Sequence, residues 1–244
     1  INVHGLGLLL GAGARKLGWS SKAAPIALLS RPYQGRQSCH NCGFCLAFPC
    51  EWGAKSGANY TMVPEALKSG KCELRSNSYV RKIETDATGR ATGVIYFDKD
   101  KKEVVQRAKA VVLCANGAET PRLLLMSKSN LFPEGLANSS GVVGKYFMFN
   151  GGALSNGVFE HEINGHKGPV VTRITQELYE LDEKLGLVGG GAYDFRVDVP
   201  AMLRTMSMPP EYPSWGIAFK KAIRPWFSNS LLSYGHTTSL PVES

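Results

Sequence analysis

The segment AKAVVLCANGAETPRLLLMS, residues 108–127, constrains the fold of this chain more than any other. Val111, Val112, Leu113 and Cys114 form an uninterrupted apolar run. A strand with water on one face alternates apolar and polar residues, whereas a run that is apolar at every position predicts a strand covered on both faces, as in a parallel sheet. The run breaks at Asn116-Gly117; Thr120 then reads as a helix N-cap, Pro121 as the first helical residue, and Leu123, Leu124 and Leu125 as the apolar anchor of a helix. Such a strand–turn–helix places backbone N–H groups and a helix N-terminus at the carboxyl edge of a sheet, where a phosphate or a cofactor edge binds. Gly117 allows the backbone to approach a ligand with no Cβ in the way. A plain β-turn-α connection in any α/β protein would carry the same signature.

Upstream, three strand-like segments follow one another: Cys72 to Ile83, Ala91 to Phe97 and Glu103 to Arg107. Asp86, Gly89 and the polar stretch DKDKK separate them, a spacing that predicts antiparallel hairpins. A short helix is expected over Met62 to Lys68, ended by Gly70, and residues 19–35 form a connector rich in Pro, Ser and Lys. The opening GLGLLLGAGARKLGW puts Leu6, Leu9, Leu10, Gly13 and Leu17 on one helical face, with Arg15 and Lys16 in the last turn and Gly18 to close it. Its glycines do not make a phosphate-binding fingerprint, because Lys16 stands where the third glycine belongs and no β-branched strand precedes them. A helix packed through small residues is the expectation. Residues 126–244 are rich in Gly, Pro and alternating segments such as YFMFNGGALSNGVFE, which predicts mostly antiparallel sheet with long loops.

Composition narrows the class. With 43% hydrophobic and 20% charged residues the chain is ordinary globular material, long enough to bury a core without covalent staples. The net charge of +8 is not gathered into a basic stripe with interleaved aromatics, so nucleic acid is not an expected partner. No apolar run reaches the roughly 20 residues of a membrane span. The chain opens on Ile1 and closes on Ser244 in strand-like text, and it reads as an internal piece with both ends cut.

The motif with the most chemistry is CHNCGFCLAFPC, where Cys39, Cys42, Cys45 and Cys50 are spaced C-x2-C-x2-C-x4-C. Thiolates this close can converge on one metal centre, and the run is near a ferredoxin ligand set with one residue added before the last cysteine and proline before rather than after it. Four states fit: an iron–sulfur cluster, a structural zinc, disulfides, or free thiols packed in a loop. Cys72 and Cys114 stand apart in strand-like text and are expected to be buried as small hydrophobes. His161 and His166 are one residue too far apart for the HExxH zinc pair, while His4, His40 and His236 are isolated. Asp194, Arg196 and Asp198 alternate as on the solvated face of a strand. WGIAFKKAIRPWF mixes Trp215, Phe219, Ile223, Trp226 and Phe227 with Lys220, Lys221 and Arg224; it fits a packed strand or helix of the C-terminal part or an amphipathic surface facing a membrane or a protein partner.

Taken in order, GRQSCHNCGFCLAFPCEWGAKS, GKCELRSNSYVRKIETDATGRATGVIYFD, VVLCANGAETPRLLLMS and LANSSGVVGKYFM resemble the glucose–methanol–choline (GMC) oxidoreductases, in the branch of bacterial gluconate, fructose, sorbitol and glucose dehydrogenase flavoprotein subunits. The resemblance is strong over residues 20–150 and looser at the flanks. It implies an α/β (α+β) fold: part of an FAD-binding Rossmann-like domain with a β-meander, joined to a mostly antiparallel substrate-binding domain. Residues 1–71 would hold a helix, a connector and the cysteine loop, residues 72–127 the FAD-domain portion, and residues 128–244 the substrate-domain portion. The implied activity is FAD-dependent oxidation of an alcohol or sugar CH–OH group. Val80 would lie near the adenine, and Ala115, Asn116 and Gly117 would line the flavin-side loop; Asn116 stands where the family commonly has glycine. The N-terminal FAD fingerprint and the catalytic histidine of the family do not occur in this chain, so catalytic residues are expected beyond Ser244. In the membrane-bound branch the cysteines carry a [3Fe-4S] cluster, which would map onto Cys39, Cys45 and Cys50 with Cys42 spare, and the partners are a small subunit and a cytochrome c subunit. A bacterial protein, cytoplasmic or on the periplasmic face of the inner membrane, is implied. The competing class is a non-catalytic binding or scaffold module clamped by its cysteines.

Overall fold

The structure is a computed structural model that describes residues 3–180, 184, 186, 190–196, 204–206, 208–237 and 239–242. The chain divides into two compact units: Ile1–Lys68 with Asn150–Thr238, and Ser69–Phe149 with Ser239–Ser244. The first and third segments expected from the sequence therefore share one unit, and residues 128–149 group with the meander.

The first unit is built on a five-stranded antiparallel sheet. In chain order its strands are β1 (Lys22–Ala23), β5 (Gly151–Val158), β6 (Val171–Thr175), β7 (Gly191–Arg196) and β8 (Ser230–Thr237), arranged β1-β6-β7-β8-β5. Helix α1 (Gly5–Lys16) lies against β6 and β7. Its buried residues are Leu6, Gly7, Gly11 and Ala14; of the row the sequence suggested only Leu6 is buried, and Leu9 and Leu17 are exposed. The reason is proximity. A Cβ at Gly7 would come within 2.5 Å of Thr172 Oγ1 and one at Gly11 within 2.9 Å of Ser21 Oγ, so the glycine edge lets the helix touch the sheet. His4 caps the helix, its Nδ1 accepting from the Gly7 N–H at 2.8 Å. Helix α2 (Met62–Lys68) has the predicted limits, and α4 (Gly216–Asn229) runs directly into β8 with Trp226 buried.

The second unit holds the meander β2 (Tyr79–Thr85), β3 (Ala91–Phe97), β4 (Glu103–Arg107), paired antiparallel in that order. Two aspartates shape its turns: Asp86 Oδ1 accepts from the N–H groups of Thr88 and Arg90, and Asp98 Oδ1 from those of Asp100 and Lys102. Helix α3 (Asn116–Met126) covers β2, burying Leu123 in the same unit as Ile83, Ile95 and Tyr96. Ser127 ties the two together, donating through Oγ to Leu123 O at 2.6 Å and accepting from the Ile83 N–H at 2.9 Å.

Three expectations fail here. Val111–Cys114 is not a strand; Val112 is 85% exposed, and Cys114 and Cys72 are exposed as well. A strand exists only by pairing, and among the described residues none pairs with this run. Helix α3 also begins at Asn116 rather than at Thr120-Pro121, with Pro121 inside it. Asn116 makes this start feasible: it adopts φ +66°, which asparagine tolerates, and its Oδ1 accepts from the N–H groups of Ala118 at 2.9 Å and Glu119 at 3.0 Å.

Candidate functional site

The cysteine loop is fixed without regular secondary structure. Leu28 and Lys55 form an isolated antiparallel bridge, flanked by hydrogen bonds from Leu29 N to Ala54 O and from Ser56 N to Ala27 O. Arg36 reaches across this pair: Nε donates to Gly53 O at 2.9 Å and Nη2 to Lys55 O at 3.0 Å and Ser56 Oγ at 3.2 Å. Lys55 then ties the loop from within, its ammonium donating to the carbonyls of Cys45 and Phe48. The Cys50 N–H donates to the Tyr60 hydroxyl at 3.1 Å, and on the far side Gly168 N donates to Cys42 O.

Cys39, Cys42, Cys45 and Cys50 all line one cavity of about 330 Å³, together with Phe44 and Trp52. None of the four is bridged to another, so all four sulfurs stand as separate thiols around the cavity. Their environments differ. Burial pushes the Cys45 thiol up, partly offset by the Lys55 ammonium and a backbone hydrogen bond from Val170. At Cys50 burial also acts upward, but backbone hydrogen bonds from Lys55, Ala54 and Trp52, with the Lys55 charge, outweigh it and leave the thiol below its ordinary value. The donor set suits a thiolate-ligated centre in its chemistry and in facing one cavity. The thiols are not closed on a point: among the described residues, no group of three or more Cys, His, Asp or Glu is gathered tightly enough to hold a metal ion.

In the second unit the N-terminus of α3 opens on a cleft of about 670 Å³ lined by Gly117, Ala118, Arg122, Lys145, Tyr146 and Phe147, among others. A Cβ added at Gly117 would meet only Phe147 Cε2 at 3.7 Å. Packing within the chain therefore does not demand glycine there, and the position keeps open the approach to a helix N-terminus, as a nucleotide cofactor requires. Asn116 opens this helix and its side chain does the capping, while Ala115, just before it, makes no side-chain cap bond. Val80 is half-buried on β2, paired with Tyr96; its neighbour Tyr79 carries the Arg122 guanidinium over its ring at 5.2 Å. The structure thus brings Gly117 to the cleft, sets Asn116 and Ala115 at its helix, and leaves Val80 on the strand beneath without lining it.

One polar cluster is not apparent from the sequence. Strands β7 and β8 pair Ala192 with His236 and Asp194 with Tyr234, so Asp194, Arg196, Tyr234 and His236 share a face. The Asp194 side chain is only 12% exposed; Arg196 forks onto it, and His236 Nε2 lies 2.7 Å from its Oδ2. Asn150 Nδ2 approaches His236 Nδ1 at 3.2 Å, and the Arg196 guanidinium sits 4.5 Å over the Tyr234 ring. Alternation reveals that Asp194 and Arg196 share a side, but only the pairing of strands about 40 residues apart brings His236 to them. Asp198, the third residue of the expected row, lies outside the described residues. His161 and His166 make no metal pair among the described residues; His166 stacks on Phe227 with ring centroids 4.5 Å apart.

Comparison with known proteins gives these features a context. The profile of the family described as GMC oxidoreductase matches residues 4–145, more than half of the chain. The chain is 33% identical over 234 residues to the 2-methyl-1,2-propanediol dehydrogenase of Mycolicibacterium austroafricanum, covering 93% of this chain and 42% of that protein. It is 41% identical over 135 residues to the fructose dehydrogenase large subunit of Gluconobacter japonicus, covering 54% of this chain and 24% of that one. The gluconate 2-dehydrogenase flavoprotein of Pantoea cypripedii is 27% identical over 241 residues, covering 93% of this chain and 39% of its own. The chain spans less than half the length of each of these relatives. By the extent of the profile match and by this likeness, the chain belongs to the GMC oxidoreductase family.

Proposed function

We propose that this chain is part of an FAD-dependent dehydrogenase that oxidises a CH–OH group of a small alcohol, polyol or sugar. The observation that carries the reading is the open cleft at the Asn116–Gly117 head of α3, inside the stretch matched by the family profile. The relatives named for propanediol, fructose and gluconate supply the substrate class. FAD, when bound, would supply the acceptor for a substrate hydride. The chain's own part is positioning. Backbone N–H groups at the head of α3 would meet an anionic portion of the cofactor and Gly117 would allow close approach, with Ala115 leading into the helix and Val80 on the strand beneath, outside the cleft lining. The residue that takes the substrate proton would lie outside this chain.

Cys39, Cys45 and Cys50 are the residues that would hold an iron–sulfur cluster, with Cys42 spare. Support comes from the ligand-like spacing and from four free thiols around one cavity, with Cys50 already biased toward thiolate. A bound cluster would supply one-electron transfer toward a small and a cytochrome c subunit. The test uses the intact protein isolated without oxygen. Bound flavin that bleaches on adding a polyol or sugar supports the dehydrogenase; flavin-free protein overturns it in favour of a cysteine-clamped binding module. Iron and acid-labile sulfide with a cluster EPR signal support the ligand assignment; full activity in iron-free protein sinks it.

A further inference from the structure

Helix α4 presents two opposite faces. On one, Trp226 is buried, its Nε1 donating to Arg204 O and its ring lying under the Arg204 guanidinium at 4.5 Å. On the other, Ile217, Lys220, Lys221 and Arg224 fall at i, i+3, i+4 and i+7, and all four are exposed. Just before the first turn stands Trp215, 83% exposed, with Ile217 at 74%. The helix contains no Asp or Glu, and none of the three cations is ion-paired among the described residues. With no acidic residue in the first turn, the positive end of the helix dipole adds to their field.

We propose that this face docks the protein peripherally on an anionic lipid surface. The three cations match a layer of anionic headgroups, and their long apolar stems let the charges stay at headgroup level. Trp215 and Ile217 give the face a shallow apolar tip, and tryptophan is the side chain best suited to the boundary between headgroups and acyl chains. An acidic protein would use the cations but leaves the two protruding apolar side chains without a role. The attachment is of the surface-lying kind: no helix among the described residues is long and apolar enough to cross a membrane.

The test is co-sedimentation of the intact protein with vesicles of phosphatidylcholine alone and of phosphatidylcholine mixed with phosphatidylglycerol. Binding is expected only to the mixed vesicles and is expected to weaken as salt is raised. The triple variant K220Q/K221Q/R224Q should lose on the order of a hundredfold in partitioning, at about fivefold per cation. Because all three side chains are exposed, its thermal melt should match the parent's, which separates lost binding from lost folding. Brominated phosphatidylcholine in the mixed vesicles should quench part of the tryptophan emission, and Trp215→Phe should remove that quenched part. Equal binding to both vesicle types, undiminished binding of the triple variant, or quenching that survives Trp215→Phe overturns the proposal. Absence of binding to the mixed vesicles overturns it too, and points to an acidic protein surface instead.

Discussion

The meander and the cysteine loop are stabilised by different means. In the meander, backbone pairs with backbone at each register position from Tyr79↔Phe97 to Thr85↔Ala91 and from Gly93↔Arg107 to Phe97↔Glu103, with local irregularities in the first ladder. In the cysteine loop two cationic side chains stand in for a partner strand, and Arg36 and Lys55 satisfy carbonyls that no ladder reaches. A ladder spreads stability over many equivalent bonds, whereas a loop of this kind concentrates it in a few charged donors. The meander should therefore fail at points of steric conflict, and the loop at the loss of a single side chain.

The largest effect is expected from Gly93→Ala. A Cβ there would stand 2.2 Å from Gln106 O and 3.0 Å from Arg107 Cα, both backbone, so the ladder must part; a loss of about 3–4 kcal/mol is expected in chemical unfolding. Amide exchange should rise along β3 and β4, and unchanged protection there would break the comparison. Next comes Arg36→Ala, which leaves the carbonyls of Gly53 and Lys55 without their charged donor and should cost about 2–3 kcal/mol. Limited proteolysis between residues 39 and 53 should accelerate, and Arg36→Lys, which cannot fork, should recover little. Asn116→Ala should cost about 1–2 kcal/mol by removing the cap and straining φ +66°, while Asn116→Gly, which accepts that φ, should cost less. If both cost the same, the backbone part of that argument is wrong.

The smallest effect concerns His4, and its sign follows from burial. Burial holds the imidazole below its ordinary value of 6.5, against a smaller opposing backbone contribution. The folded state then binds the proton less readily than the unfolded one. The associated stability is present above 6.5 and declines as pH falls through that value toward the lower folded one. His166, lowered by burial and then by Lys167, acts in the same direction. His4→Asn, which keeps a capping acceptor, should flatten the acid-side slope with little loss at neutral pH, and His4→Ala should cost about 1 kcal/mol at neutral pH. An unchanged slope in His4→Asn would assign the effect to His166.

Legibility in the sequence follows the same divide. The limits of β3, β4 and α2 can be read directly, because hairpin turns and local periodicity are encoded within a few residues. The buried edge of α1 cannot, since a row of leucines outweighs two glycines in any apolar count while the sheet selects the face that allows closest approach. The Asp194–His236 contact depends on a strand pairing that no local pattern encodes. The start of α3 is misplaced by sequence because Thr-Pro is the commoner opening, whereas Asn116 supplies both the cap and the unusual φ four residues earlier. For the candidate sites, spacing places the four cysteines around one cavity, but it does not reveal that Arg36 and Lys55 hold them there.

The unpaired run at Val111–Ala115 has a practical consequence. It is apolar and free of charge and proline, and among the described residues nothing pairs with its edge. Such a segment is a template for intermolecular β-pairing. Produced alone at high concentration, the chain should form thioflavin-positive assemblies seeded at this segment, and Val112→Lys should act as a gatekeeper that delays them.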